Sequence, residues 1–205
     1  METGYHVSRR GFLGGALALG GSLALGAPAL SASTRPSDAA LLETAKRELA
    51  RAGKRVWLSD AVGIADFSRP SYEPRFFLVD LVGGRVKPFL VAHGRGSDPE
   101  HDGWLKNFSN TPGSAATSRG AYVTHSWYDG KYGTSMRVSG LESDNNMADD
   151  RAIVIHSAWY ANPAMISEWG KLGRSEGCFA LPEANLLEVL AKLGPGRLLF
   201  ADRLG

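Results

Sequence analysis

A chain of 205 residues, 43% hydrophobic and 21% charged, is long enough for one domain with a sizeable core. This composition excludes a disordered, collagen-like or multi-span membrane chain, and a formal net charge of +2 argues against a nucleic-acid partner. A single cysteine excludes an internal disulfide and any cysteine-based zinc site.

Residues 1–32 read as an address. Ser8-Arg9-Arg10-Gly11-Phe12-Leu13 is a twin-arginine pattern, and no charge follows it until Arg35. The intervening run is rich in Gly, Ala and Leu and closes on small residues at Ala27-Pro28-Ala29 and Leu30-Ser31-Ala32. That layout predicts a cleaved export signal of the Tat type, a transient contact with the export machinery, and a periplasmic or cell-envelope location. The alternative is a retained anchor, which the many glycines disfavour. Export alters the cysteine argument, since an unpaired thiol in an oxidising compartment needs a reason.

Residues 33–54 form an N-terminal helical segment, and 55–205 the main domain. Ser37 can cap a helix running to about Gly53, with Leu41, Leu42, Ala45, Leu49 and Ala52 on one face. Short strands are expected at Val56–Ser59 and Gly63–Phe67. Arg75–Val82 and Arg85–Ala92 flank Gly83-Gly84, a two-residue hairpin signal. His93–Ser118 reads as a long loop, of the kind that is usually functional. Gly120–Thr124, Met136–Leu141, Arg151–Ile155 and Leu198–Ala201 are further strands. Asn162 caps a short helix that begins at Pro163 and reaches about Trp169. Pro182–Leu193 is a helix with Leu186, Leu187, Leu190 and Leu193 in one stripe. The fold class is therefore mainly β or α+β.

Cys178 follows Gly177 and stands between a glycine-punctuated loop and the helix that begins near Pro182. Glycine before a cysteine lets successive N–H groups converge, which suits stabilisation of an oxyanion. A thiol nucleophile needs a base, and His156, at the end of a rigid apolar strand with Ser157 after it, is the best placed of the histidines.

Ile155-His156-Ser157, a glycine-bearing spacer and Ser175-Glu176-Gly177-Cys178 together resemble the signature of L,D-transpeptidases, the YkuD-like domain, in its murein transpeptidase branch. The likeness is strongest over about 120–200, with looser support from Val91–Ser97 and Phe108-Ser109-Asn110. It implies a YkuD-like β-sandwich with a few peripheral helices, acting on peptidoglycan stem peptides without a cofactor. Cys178 would be the nucleophile, His156 the base, Ser157 or a backbone carbonyl the element orienting it, and Gly177 with Cys178 the oxyanion hole. Arg174, Ser175, Glu176, Trp159 and Tyr160 are the substrate-facing candidates, and Tyr122, Tyr128 and Tyr132 join the last two as groove walls. Two departures stand out. Glu176 replaces the usual histidine, and Phe179-Ala180 replace polar residues after the cysteine, so the grip on a peptide carboxylate passes to Arg174, Arg119 or Arg137. Two other readings compete: a zinc peptidase using His93, His101, Asp102 and His125, and an inactive wall-binding protein. Water at the same acyl-enzyme would give a carboxypeptidase.

Overall fold

The computed structural model describes residues 35–131 and 133–204. The export-signal reading of residues 1–32 lies outside them, as does Tyr132. No helix among the described residues is long and apolar enough to cross a membrane.

The chain runs α1 (Asp38–Ala52), β1 (Ala61–Asp66), β2 (Phe76–Asp80), β3 (Arg85–Phe89), β4 (Gly120–Gly130), β5 (Gly133–Gly140), β6 (Val154–Ser157), α2 (Pro163–Trp169), β7 (Phe179–Leu181), α3 (Glu183–Leu193) and β8 (Leu198–Asp202). The eight strands form one sheet in the order β3-β2-β1-β8-β4-β5-β6-β7. Among the described residues, only β1–β8 and β6–β7 are parallel strand pairs.

Alternation along the strands gives the sheet two apolar faces. Phe76, Tyr122, Met136, Ile155, Phe179 and Leu199 point into the main core with one face of α3. Val62, Ile64, Phe77, Val123, Leu198 and Phe200 point outward and are covered by Leu41, Ala45 and Ala52 of α1. Helix α1 starts where Ser37 Oγ accepts the Ala40 N–H at 3.2 Å, and it packs on the domain's own sheet. It covers only one half of the outer face. Over β5, β6 and β7 that face carries Ser135, Arg137, His156 and Cys178 instead.

Several local expectations are corrected. Residues 56–59 form no strand. The hairpin turn is four residues long, because Asp80 Oδ1 accepts the N–H groups of Val82 and Gly83 and shortens the ladder to Asp80↔Arg85. Strand β4 continues past Thr124 to Gly130 through a bulge, in which His125 and Ser126 oppose a single residue of β5. Leu187 is exposed, and Val189 takes its place in the buried stripe of α3. Asn162 makes no side-chain cap on α2; its Oδ1 accepts the Glu183 N–H at 3.0 Å and so caps α3.

The sheet curls until its two ends meet, which makes the sandwich-like enclosure from one sheet. Ala92 N–H donates to Ala180 O at 2.8 Å, Ser175 N–H to His93 O at 2.8 Å, and Arg95 N–H to Ser175 O at 2.7 Å. The segment after β3 is thereby sewn to the turn before β7. A buried charge network fixes this seam. Arg75, with no exposed surface, donates to Val91 O from Nε and Nη2, to Arg69 O from Nη1, and to His93 Nδ1 at 2.6 Å. A guanidinium only donates, so His93 Nδ1 accepts, and Nε2–H donates to Asp98 Oδ2 at 3.3 Å. Burial first, then the Arg75 charge, lowers the His93 pKa to about 4, against the pull of Asp98. Burial lowers that of Arg75 to about 9, while Asp66 and Asp98 raise it.

The ring of His93 should stay neutral, with Nε2 protonated, at pH 5.5, where an exposed histidine is mostly charged. Nitrogen shifts of a doubly protonated ring at that pH would contradict the network. Arg75→Met removes one partner of a buried charge system and should cost about 3–5 kcal/mol in urea unfolding.

Candidate active site

The β6–β7 register pairs Ile155 with Phe179 and His156 with Ala180. Extended back by one residue, it sets Cys178 beside Val154. Ile155 and Phe179 both face the core, so Cys178 and His156 both face outward, as diagonal neighbours on adjacent strands.

The turn that carries Cys178 is held from within. Ser175 Oγ donates to Cys178 O at 2.7 Å and accepts the Gly177 N–H at 3.2 Å. Gly177 has φ of +118°, a conformation side-chain-bearing residues rarely adopt. Ser175 is buried and both its polar bonds stay inside the turn, so it shapes the turn and does not face a ligand. The thiol donates weakly to Ala152 O at 3.7 Å.

His156 Nδ1 lies 2.8 Å from Ser157 O. A carbonyl can only accept, so Nδ1 carries the proton and Nε2 keeps its lone pair in the neutral ring. The backbone of Ser157, not its hydroxyl, orients the imidazole. Burial pushes the His156 pKa down, against that bond. Burial also pushes the Cys178 thiol up, and the Glu176 charge adds to it; the Val154 backbone and the Arg151 charge act the other way. Both groups therefore rest neutral near pH 7.

Arg151 had no signal in the sequence beyond its place ahead of an apolar strand. It donates to Ser109 O at 2.8 Å and to Ala116 O, which ties the long loop to the cysteine turn and sets a cation near the sulfur. The other candidates divide by environment. Arg174 donates to the carbonyls of Asp98 and Pro99, and Arg119 pairs with Asp202 at 2.7 Å. Glu176 is exposed and pairs with Arg95 at 2.8 Å. Trp159 is 59% exposed and contacts the rings of Tyr160 and Trp169. Tyr122, expected as a groove wall, is fully buried and its hydroxyl donates to Ser118 O.

The metal-ligand types are not brought together. His93 is enclosed by Arg75 and Asp98, His101 Nε2 donates to Leu172 O at 3.0 Å, and His125 bonds Ser139 Oγ at 2.8 Å. Among the described residues, no three His, Cys, Asp or Glu side chains are grouped to hold a metal ion.

The family described as L,D-transpeptidase catalytic domain matches residues 34–201. No curated protein matches the chain. Among solved structures, an L,D-transpeptidase from Mycobacterium tuberculosis is 16% identical with a TM-score of 0.45, covering 70% of this chain and 58% of that one. An L,D-transpeptidase from Mycobacterium smegmatis is 15% identical, with a TM-score of 0.42 and the same coverages. The helical cell shape determining protein from Campylobacter jejuni is 14% identical, with a TM-score of 0.43, covering 82% of this chain and 57% of that one. The chain thus spans less than two thirds of the length of each.

Alkylation of Cys178 by iodoacetamide should quicken steadily as pH rises through and beyond the ordinary thiol range, without levelling near neutrality. A rate that is already flat below pH 7 would show a resting thiolate–imidazolium pair instead.

Proposed function

The chain belongs to the L,D-transpeptidase catalytic domain family, and from that premise we propose that it is a cysteine-dependent peptidoglycan L,D-transpeptidase exported to the cell envelope. The observation that carries this reading is the diagonal placement of Cys178 and His156 on the sheet face turned away from the main core, with Nδ1 of the ring committed to Ser157 O.

The thiol of Cys178 attacks the carbonyl that joins the L-centre of diaminopimelate to the terminal D-alanine of a stem tetrapeptide. His156 Nε2 takes the thiol proton as the S–C bond forms. No resting thiolate is needed, because proton removal and attack are coupled. The imidazolium that results is stabilised by its Nδ1–H bond to Ser157 O. The tetrahedral oxyanion is met by the Cys178 N–H. Gly177 N–H joins it only on leaving Ser175 Oγ, its present acceptor. Such a donor is worth about 3–4 kcal/mol of transition-state stabilisation. Collapse breaks the C–N bond, the amine of D-alanine takes the proton from His156, and a thioester remains on Cys178. An amine of a second stem then gives a cross-link, and water gives a shortened stem; in either case His156 takes the proton from the attacking group.

The buried residues that this chemistry uses leave specificity to the rim. Exposed Trp159 and Glu176 flank the two reacting side chains in sequence, and Arg95 balances the charge of Glu176.

Incubation of residues 33–205 with a disaccharide tetrapeptide should release D-alanine and leave a mass increase on Cys178 equal to the acyl fragment. Products read by mass then divide into cross-linked and hydrolysed species. Cys178→Ala should abolish D-alanine release and labelling by a carbapenem. Binding to sacculi with neither adduct nor D-alanine release would make the protein a wall-binding member of the family.

A further inference from the structure

Among the described residues, every arginine but one donates to a carboxylate or to a backbone carbonyl. The exception is Arg137. It is exposed, and its guanidinium lies over the ring of Tyr128, 4.5 Å from the centroid. Stacking orders the guanidinium plane while its N–H edge stays open to accept a partner.

Its place in the sheet is informative. Arg137 pairs with Val154, which sits beside Cys178, so the three form one row across β5, β6 and the cysteine turn. Tyr128 pairs with Ser135, and Ser135 pairs with His156, forming the next row on the same face. Two strand spacings separate the backbone of Arg137 from that of Cys178, or roughly 10 Å. Opposite Arg137, the bulge at His125-Ser126 turns β4 outward. A groove of about 520 Å³ opens there, lined by Trp57, His125, Trp127, Tyr128, Arg137 and Asp149. Asp149 Oδ1 accepts from Ser139 Oγ at 2.9 Å, and Ser139 in turn bonds His125. Arg137 is thus the cation facing this groove.

We propose that this groove is the carboxylate subsite of the enzyme, with Arg137, two strands from the Cys178 that attacks the substrate, gripping a substrate carboxylate. The assignment rests on the transpeptidase reading and deepens it. It also accounts for Phe179-Ala180 after the cysteine: the polar grip sits two strands away. Arg174 and Arg119 are the poorer candidates because each is already tied within the fold, Arg174 through Nη1 to two carbonyls and Arg119 through Nη2 to the carboxylate of Asp202. Besides the terminal carboxylate of D-alanine, which sits next to the attacked carbonyl, two carboxylates of a stem tetrapeptide share this chemistry: the α-carboxylate of the glutamyl residue and the side-chain carboxylate of the diamino acid.

The test compares D-alanine release from three synthetic stem tetrapeptides: unmodified, amidated at the glutamyl carboxylate, and amidated at the diamino-acid side-chain carboxylate. In the wild-type protein, one of the two amidations raises KM about tenfold or more and identifies the source. Arg137→Met raises KM for the unmodified stem by a similar factor and becomes indifferent to that amidation. Arg137→Lys, which keeps the charge and loses the fork, falls between the two. Alkylation of Cys178 by neutral iodoacetamide stays at the wild-type rate in both variants, which reports an intact site. A KM unchanged in Arg137→Met, or an amidation penalty that persists in it, overturns the subsite. If the wild-type protein releases no D-alanine and forms no adduct with any stem, the transpeptidase reading itself falls, and the role of Arg137 with it.

Discussion

The site depends on a guanidinium that never meets water. Arg75 is fully buried, yet it remains the donor for Val91 O, Arg69 O and His93 Nδ1. Burying a charge is costly unless it is paired and its hydrogen bonds are made. Here the pairing runs through a neutral histidine to Asp98, whose carboxylate also accepts the N–H groups of Asp102 and Gly103 at 3.0 Å. The network therefore links the start of β2, the end of the segment after β3 and the first turns of the long loop. Since His93 O accepts the Ser175 N–H, the residue whose ring bonds Arg75 and Asp98 also supplies the carbonyl that holds the cysteine turn. The charge state of the seam and the position of the nucleophile are one structural problem.

Elements with short-range signals were legible in the sequence. Helix α1, with its Ser37 cap, and helix α3, stopped at Gly194, lie within a residue or so of the expected places. So did the loop from His93 to Ser118, apart from its short 3-10 turn at Arg95–Ser97. What was not legible depends on partners far along the chain. The alternation in β4 breaks after Thr124 because a bulge inserts an extra residue, and only the β5 ladder shows that the strand resumes. Asn162 has the sequence position of a cap for α2 but reaches the helix that begins 21 residues later. Closure of the sheet on itself rests on Ala92 meeting Ala180, two small residues without any pattern of their own.

The candidate site divides in the same way. Cys178 and His156 stand out as residue types in a suggestive order, so sequence could nominate them. Arg174, Arg119 and Arg137 looked alike as cations, and nothing local distinguishes them. Their separation follows from what each donates to: two carbonyls, a carboxylate, or only an aromatic ring. Ser175 looked like a substrate contact because of its place near the cysteine. Its burial and its bonds to Gly177 and Cys178 assign it to the scaffold of the turn.

Two glycines meet where the seam touches the cysteine turn, and they are needed for different reasons. Gly177 has a positive φ, and any side chain there would be strained before it met a neighbour. Gly94 has φ of −70°, which any residue can adopt. A Cβ at Gly94 would lie 2.3 Å from Ala115 O and 2.8 Å from the Cα and N of Gly177, all backbone atoms that cannot swing aside. The constraint at Gly94 is therefore one of room alone, while that at Gly177 is one of conformation with room added, since a Cβ there would lie 2.8 Å from Ala116 O. Together they let the loop after β3 lie flat against the turn, so that the carbonyl of His93 and the N–H of Arg95 can bracket Ser175. A side chain at either position would move the sulfur relative to His156 without touching either reacting group. The reach of the nucleophile is thus set by backbone packing at a seam whose far end is fixed by Arg75.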